Sequence, residues 1–325
     1  MRNLICLAVM MFLIGTVFSC KKDDNEVLIF TSSEDFRIEH FQKRFNEEFP
    51  QYSIKINYTT TGNLAAKLKA EGTVTDCDII GELETAYLEG IIDNLADLSS
   101  YDSSAFLDEL VPSHRKYLPF YKNAGCIIIS EKFLQDRKLS IPTSYTDLLK
   151  SEYKGVLTMP NPKSSGTGYI FLKNLINVLG EDNAFAYFDR FAENILQFTS
   201  SGSGPVNAII QGEAGIGLGM TMQAVNAINT RGIPLRIAYF EEGSPYSMYG
   251  MGIIKGKETK QAVRDVFEFY AYTLCREDKE LFVPEQIYKS QSFDIPNYPT
   301  GVKTADMRGI ESLSEKERLL DKWKY

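Results

Sequence analysis

From residue 27 onward, short apolar runs alternate with segments of helical period. "VLIF" (27–30) is apolar throughout and predicts a buried strand. In the stretch after it, Phe36, Ile38, Phe41 and Phe45 fall near helical spacing and Pro50 marks a stop. "YSIKINY" (52–58) alternates as a second strand, "TTTGNLAAKLKAEG" reads as a threonine-capped helix closed by Gly72, and "CDII" (77–80) is a third strand. Short helices are expected across "ETAYLEGIIDNLADLSS". "AGCIIIS" (124–130) is a strongly apolar strand, and "PTSYTDLLKSEYKG" (142–155) predicts a helix from Ser144 or Thr146. The strand "GVLTMP" (155–160) opens into "NPKSSGTGYIFL" and a helix ended by Gly180. A polar helix over 181–194 follows, then strand "ILQFTS", a short helix in "GSGPVNAIIQG", strand "AGIGLGM", helix "TMQAVNAINTRG" and strand "LRIAYF". "YGMGIIKG" (249–256) reads as a return strand and "TKQAVRDVFEFYAYTLC" as a long amphipathic helix, while the tail beyond 280 shows no clear period. Strand–helix alternation of this kind argues an α/β fold.

The ends and the composition narrow the class. Arg2, the apolar "LICLAVMMFLIGTVF" and small Ser19 before Cys20 form a secretory signal over 1–19, which is excluded from the fold. "VFSC" resembles the lipobox of bacterial lipoproteins, which implies acylation of Cys20, with 20–26 as anchor and tether and a place in the cell envelope, periplasmic or at the cell surface. An ordinary signal peptide or an N-terminal membrane helix is the alternative. Loss of Arg2 makes the mature chain one unit more negative than the formal −8 of the whole sequence, too acidic for a nucleic-acid footprint. Its length of some 300 residues exceeds what one core usually supports, so two lobes are expected. Cys77, Cys126 and Cys275 permit at most one disulfide and lack metal-ligand spacing, and neither His40 nor His114 lies beside another ligand.

One device recurs four times: a strand ends, Ser, Thr and Gly follow, and a helix begins. The four are "FTSSED" (30–35), "TTTGN" (59–63), "SSGTG" (164–168) and "SSGSGP" (200–205). Hydroxyls there are expected to cap first-turn amides, glycine admits close approach, and the helix start favours an anion. Pro205 suits a first helical position. Capping alone explains any single junction, but four at strand ends point to a ligand site. The spacing of a P-loop is absent, no G-x-S-x-G elbow occurs, and no zinc cluster is present. A glycosidase pair drawn from Glu82, Glu84, Glu241 and Glu242 has no readable separation. No enzyme, cofactor or metal is expected.

"PNPKSSGTGYIFL", "SSGSGPVNAIIQGEAGIGLG" and "YFEEGSPYSMYGMGIIKG" together resemble the extracellular solute-binding proteins of ABC importers, in the branch that includes iron(III), thiamine, phosphonate and sugar-phosphate binders. The resemblance implies a two-lobe, type II periplasmic-binding-protein-like fold whose strands cross near 121–125 and 244–252. It places lobe 1 at 27–121 plus 250–290 and lobe 2 at 122–249 plus 291–325. It puts Thr31, Ser32, Ser33, Thr60, Thr61 and Gly62 on one cleft wall, and Ser164, Ser165, Gly166, Thr167, Ser201, Gly202 and Ser203 on the other, with Glu242 and Tyr246 near the hinge. Where iron-binding members carry a tyrosine pair this chain has Met220, Thr221 and Met222, and its only tryptophan, Trp323, is far from any aromatic box for a cation. The expected ligand is a small oxyanion, a phosphonate, phosphate ester or sugar phosphate, with Lys163 as a possible point charge and Glu34, Glu82 or Glu84 available to an amine. The expected partner is an ABC permease and the expected state a monomer. A ferric or metal-chelate binder using Tyr246, Tyr249, His40 or carboxylates, and a phosphoester hydrolase, stand as alternatives.

Overall fold

The computed structural model describes residues 24–325; the expected signal peptide over 1–19, Cys20 and the start of the expected tether lie outside the described residues. The chain runs β1 (Glu26–Thr31), α1 (Asp35–Glu48), β2 (Ser53–Tyr58), α2 (Thr61–Glu71), β3 (Ile79–Glu84), α3 (Thr85–Gly90), β4 (Leu118–Ile129), α4 (Glu131–Asp136), β5 (Leu157–Pro160), α5 (Gly166–Leu179), α6 (Glu181–Ala192), β6 (Ile195–Thr199), α7 (Gly204–Ile210), β7 (Ile216–Met220), α8 (Thr221–Arg231), β8 (Arg236–Ala238), β9 (Tyr246–Ile253), α9 (Gln261–Phe269), α10 (Cys275–Leu281) and α11 (Leu313–Lys322). Among the described residues no helix is long and apolar enough to cross a membrane.

Strand order is β2-β1-β3-β9-β4-β7-β5-β6, with β8 also on β4. β4 joins two sheets. Its first part, Leu118–Ala124, pairs antiparallel with β9, and its second part, Gly125–Ile129, pairs with β7 and β8. The molecule is therefore an α/β structure of two lobes. One is built on β1, β2, β3 and β9 with Phe41, Phe45, Phe120 and Tyr270 at its centre; the other is built on β5, β6 and β7 with Tyr169, Phe171, Phe188 and Trp323. In each lobe parallel strands (β1 with β2 and β3; β5 with β6 and β7) deliver their carboxyl ends to the same edge, so the helices that follow them start there together.

Four local departures from the sequence reading have identifiable causes. The helix expected in 142–155 is two separate 3₁₀ turns, 147–149 and 151–153. Asp147 turns its carboxylate back onto Thr143, and the Asn194 side chain donates to the carbonyls of Leu148 and Lys150 that a helix would have used. The third strand starts at Ile79 and continues to Glu84, because Asp78 accepts from the Leu28 amide, while Glu82 and Glu84 are buried carboxylates that hide its apolar pattern. The long helix after 259 is interrupted by a π turn at 270–274. The tail carries α11, which no period in the sequence signalled.

That last helix binds both lobes. Leu319 and Trp323 enter the second core, with the indole edge-on to Phe188 and Phe198. Lys316 is fully buried and pairs with buried Glu84 at the end of β3, its ammonium 4.2 Å from the ring centre of Tyr87 and 4.3 Å from that of Tyr169. Cys77, Cys126 and Cys275 are free and buried; burial pushes the Cys126 thiol up to about 12 and the Cys275 thiol up to about 11. Removing one member of a buried pair leaves the other charge uncompensated. Lys316→Ala is expected to cost about 3–5 kcal/mol in urea denaturation, and the double change Lys316→Met with Glu84→Leu to recover most of it. Equal losses in the single and double variants would contradict this account of α11.

Candidate ligand-binding cleft

A cleft of about 470 Å³ lies between the lobes. One wall comes from the β1–α1 and β2–α2 junctions, with Ser32, Glu34, Tyr58, Thr60 and Thr61. The other comes from the starts of α5, α7 and α8, with Ser164, Ser165, Thr167, Ser201, Ser203 and Gln223. Tyr121 and Asn123 of β4 and Tyr249 of β9 also line it, and the Tyr121 and Tyr249 rings pack 4.8 Å apart.

The hydroxyls do not cap their helices. The residues preceding α1, α2, α5, α7 and α8 are Glu34, Thr60, Ser165, Ser203 and Met220, and none accepts a first-turn amide with its side chain. Away from the cleft, Ser130 and Ser312 do cap, accepting from the amides of Phe133 and Glu315. In the cleft the hydroxyls bond one another or nearby carbonyls: Thr31 with Ser33 at 2.8 Å, Thr61 to Ser32 at 3.2 Å, Ser201 with Ser203 at 3.0 Å and Ser164 to the Ser200 carbonyl at 2.8 Å. First-turn amides therefore keep donor capacity at the positive helix ends. The Gly62 amide instead reaches across the gap to the Ser164 carbonyl at 3.2 Å, so the two walls touch there. A Cβ on Gly62 would lie 2.5 Å from the Lys163 carbonyl oxygen, and one on Gly166 would strike the Tyr249 hydroxyl. Both glycines are set by close approach.

Of the residues singled out from sequence, Ser32, Thr60, Thr61, Ser164, Ser165, Thr167, Ser201, Gly202 and Ser203 line one cavity. Thr31 and Ser33 are buried and bonded to each other. Glu242 and Tyr246 lie outside the lining, Glu242 near Tyr145 and Tyr187, Tyr246 under the Lys122 ammonium at 3.9 Å. Lys163 is exposed and also outside it. Tyr246 and Tyr249 are three apart on one strand and so point to opposite faces, and His40 pairs with Glu277 at 2.8 Å. The sequence reading missed Tyr58, Tyr121, Asn123, Gln223 and Arg231. An uncharged amide inside the hinge strand was the available signal for Asn123. Its Nδ2 donates to Thr167 Oγ1 at 3.2 Å, while Asn123 Oδ1, Gln223 Oε1 and Thr60 Oγ1 are buried without a partner in the protein.

Beneath the first wall sits a buried charge cluster. Arg37 donates to Glu34 and Glu82 at 3.0 Å each and grips Asp278 with two nitrogens at 2.7 and 3.1 Å, its guanidinium 4.5 Å from the Tyr121 ring centre. Lys279 also pairs with Asp278. Glu82 accepts from Ser32 at 3.2 Å, which links the cluster to the cleft. Three carboxylates face two cations. Burial pushes Glu82 up to about 7 against the pull of Arg37, and burial raises Glu34 as well. Burial also opposes charge on Asp278, but Arg37 and Lys279 hold its carboxyl below the usual range. A proton held by Glu82 in the fold and lost from the unfolded chain, where the ordinary value is 4.5, stabilises below pH 4.5 and ceases to do so as pH rises through 7. Glu82→Gln is therefore expected to flatten the fall in stability between pH 5 and 7 and to exceed wild type at pH 8 in urea melts; identical slopes for the two proteins would refute the assignment.

Comparison with known proteins agrees with this architecture. Residues 52–273 match the bacterial extracellular solute-binding protein family. An uncharacterized protein of Haemophilus influenzae is 25% identical over 272 residues, covering 78% of this chain and 74% of the relative. The periplasmic binding protein P5PA superposes with a TM-score of 0.79 at 22% identity, over 92% of this chain and 98% of the other. The periplasmic binding protein AfuA from Actinobacillus pleuropneumoniae, solved with fructose-6-phosphate bound, also gives a TM-score of 0.79 at 22% identity, over 92% and 97%. A match spanning more than half the chain, on a two-lobe fold with one cleft between the lobes, makes this protein a member of the bacterial extracellular solute-binding protein family.

Proposed function

We propose that the chain is the lipid-anchored solute-binding component of an ABC importer and that it captures a small organic phosphate, with a sugar phosphate favoured over a bare anion. The observation that carries the reading is the set of helix starts at α1, α2, α5 and α8, uncapped by side chains and gathered at one cleft. Such ends offer amide donors and a positive dipole to a phosphoryl group. Ser201 and Ser203, bonded to each other, leave one hydroxyl hydrogen free to donate on the second wall, and exposed Arg231 supplies a cation at the rim.

The remaining lining argues for more than phosphate. Glu34, Asp35 and Glu39 accept hydrogen bonds from alcohols, as do Asn123 Oδ1 and Gln223 Oε1, and a bare oxyanion leaves these acceptors unanswered. A ligand with one anionic end and several hydroxyls satisfies both sets. AfuA, of the same fold, was solved with fructose-6-phosphate. The role is binding, not turnover: closure buries the ligand, and only contacts stronger in the closed form favour closure. The ferric alternative would need Tyr246 beside Tyr249, which face opposite ways, and His40, already paired with Glu277.

Isothermal titration of the mature protein with fructose 6-phosphate, fructose, inorganic phosphate, ferric citrate and thiamine tests the reading. The sugar phosphate is expected to bind at least about 100-fold more tightly than fructose, and Ser201→Ala to weaken it about tenfold or more, since hydrogen bonds to charged groups contribute roughly 1.5–3 kcal/mol. Binding of ferric citrate or thiamine with no response to any phosphorus compound would overturn it. Release of inorganic phosphate during the titration would replace capture with hydrolysis.

A further inference from the structure

β4 has two faces. Tyr121 and Asn123 point into the cleft, so alternation sends Lys122 and Ala124 to the other side of the hinge. A separate cavity of about 310 Å³ lies there, near the lower end of the range for small-molecule sites. Its walls come from both crossings, Lys122 on β4 and Ser244 just before β9, together with Tyr239, Glu285, Phe293 and Tyr298. Glu242 and Tyr246 had been expected to serve the front cleft. Tyr246 instead supports Lys122 at this rear side, its ring 3.9 Å below the ammonium.

Two opposite charges face this cavity without meeting. Glu285 Oε1 accepts from the Tyr298 hydroxyl at 2.6 Å, while Oε2 is buried and has no partner among the described residues. Among the described residues Lys122 makes no ion pair; its ammonium stands over the Tyr246 ring and feels Glu285 only at a distance. Burying a carboxylate oxygen without a donor costs free energy that a protein normally recovers with a partner, and half-buried Lys122 is the cation on the same wall. Burial moves both groups towards neutrality, raising Glu285 and lowering Lys122. Asp294 stands exposed at the same cavity and adds a second acceptor. The rest of the wall includes Phe293, Ile295 and Val302, which suit a short apolar frame.

We infer that this rear cavity is a second ligand site for a small zwitterion of the amino-acid class, its ammonium on Glu285 Oε2 and its carboxylate on the Lys122 ammonium. A simple anion would meet Glu285 and Asp294 unfavourably, and a simple cation would leave Lys122 unanswered; only a compound carrying both charges satisfies the two ends. The site is independent of the ligand in the front cleft.

The test is isothermal titration of the mature protein with glycine, alanine, proline, valine and leucine, each alongside its amide and its N-acetyl form. At least one unmodified amino acid is expected to bind with a Kd of about 1 mM or tighter, and to weaken at least about tenfold when either charged end is blocked. Glu285→Gln and Lys122→Met are each expected to reduce binding at least about tenfold, whereas Ser203→Trp, which fills the front cleft, leaves it intact. The blocked ligands keep the test valid even where a variant folds poorly, because they need only the wild-type protein. No binding by any of the five to wild type at 10 mM, equal binding by the blocked forms, or loss in Ser203→Trp alone would each overturn the inference.

Discussion

One strand, β4, is hydrogen-bonded into both sheets, and the rest of the structure is arranged around it. β4 bonds to β9 through Ala124 and to β7 from Gly125 onward, so the ladder passes from one sheet to the other without a loop between them. Ser244 fixes the handover by donating to the Gly125 carbonyl at 2.8 Å, and the Gly125 amide donates to Pro245 at the same distance. Backbone groups in a ladder cannot be left unpaired in the interior. The shared ladder marks the pivot between the lobes, and the period of two along it divides the hinge into a cleft face and a rear face. Everything that lines either cavity inherits its position from that division.

The charge cluster under the first wall bears on whether an acidic chain can hold the anion proposed above. If Glu34, Glu82 and Asp278 were all ionised against Arg37 and Lys279, one negative charge would remain uncompensated beneath the cleft. Burial raises Glu82 to about 7, which lets one proton remove that excess near neutral pH. The carboxylates closest to a ligand are then either gripped by Arg37, as Glu34 is, or exposed to screening water, as Asp35 and Glu39 are. The helix ends face a gap whose negative neighbours are neutralised, bonded or screened.

Much of this was legible in the residues, and the failures have physical causes. Strand–helix alternation and the four hydroxyl-rich junctions follow from periods and residue types that act locally, and nine of the thirteen junction residues named do line the cleft. The purpose assigned to the hydroxyls was wrong in one respect: capping is a local bond, and these side chains bond sideways because the junctions crowd one another, as at Thr61–Ser32 and Ser201–Ser203. Asn123 and Tyr121 could not be assigned from sequence, since a strand pattern alone does not say which face meets the cleft. The opposite orientation of Tyr246 and Tyr249 could have been, because their odd spacing on a strand suffices. β3 was cut short by its two buried glutamates, and α11 was missed because its buried lysine reads as a solvent-facing residue until its partner, 232 positions away, is known.

Where the lobes touch determines what a ligand has to do. Glu84 stands opposite Tyr249 in the ladder, and Tyr249 stands opposite Tyr121, so the Lys316 pair sits two strands from β4. Groups that close to a pivot are displaced little by rotation, which is why α11 can pack on both lobes with a buried ion pair. Gly62 and Ser164 sit on opposing walls away from that ladder, and their single 3.2 Å hydrogen bond is weak beside the interactions near the pivot. The hinge therefore sets the path of closure but contributes little to its extent, and the balance between open and closed forms rests on contacts at the mouth. A ligand that bridges α2 to α5 and α7 adds such contacts only when the walls are together, whereas one held by a single wall adds none. The uncapped helix ends lie on both walls. For that reason the phosphoryl group proposed above, seated between them, would act on closure as well as on affinity.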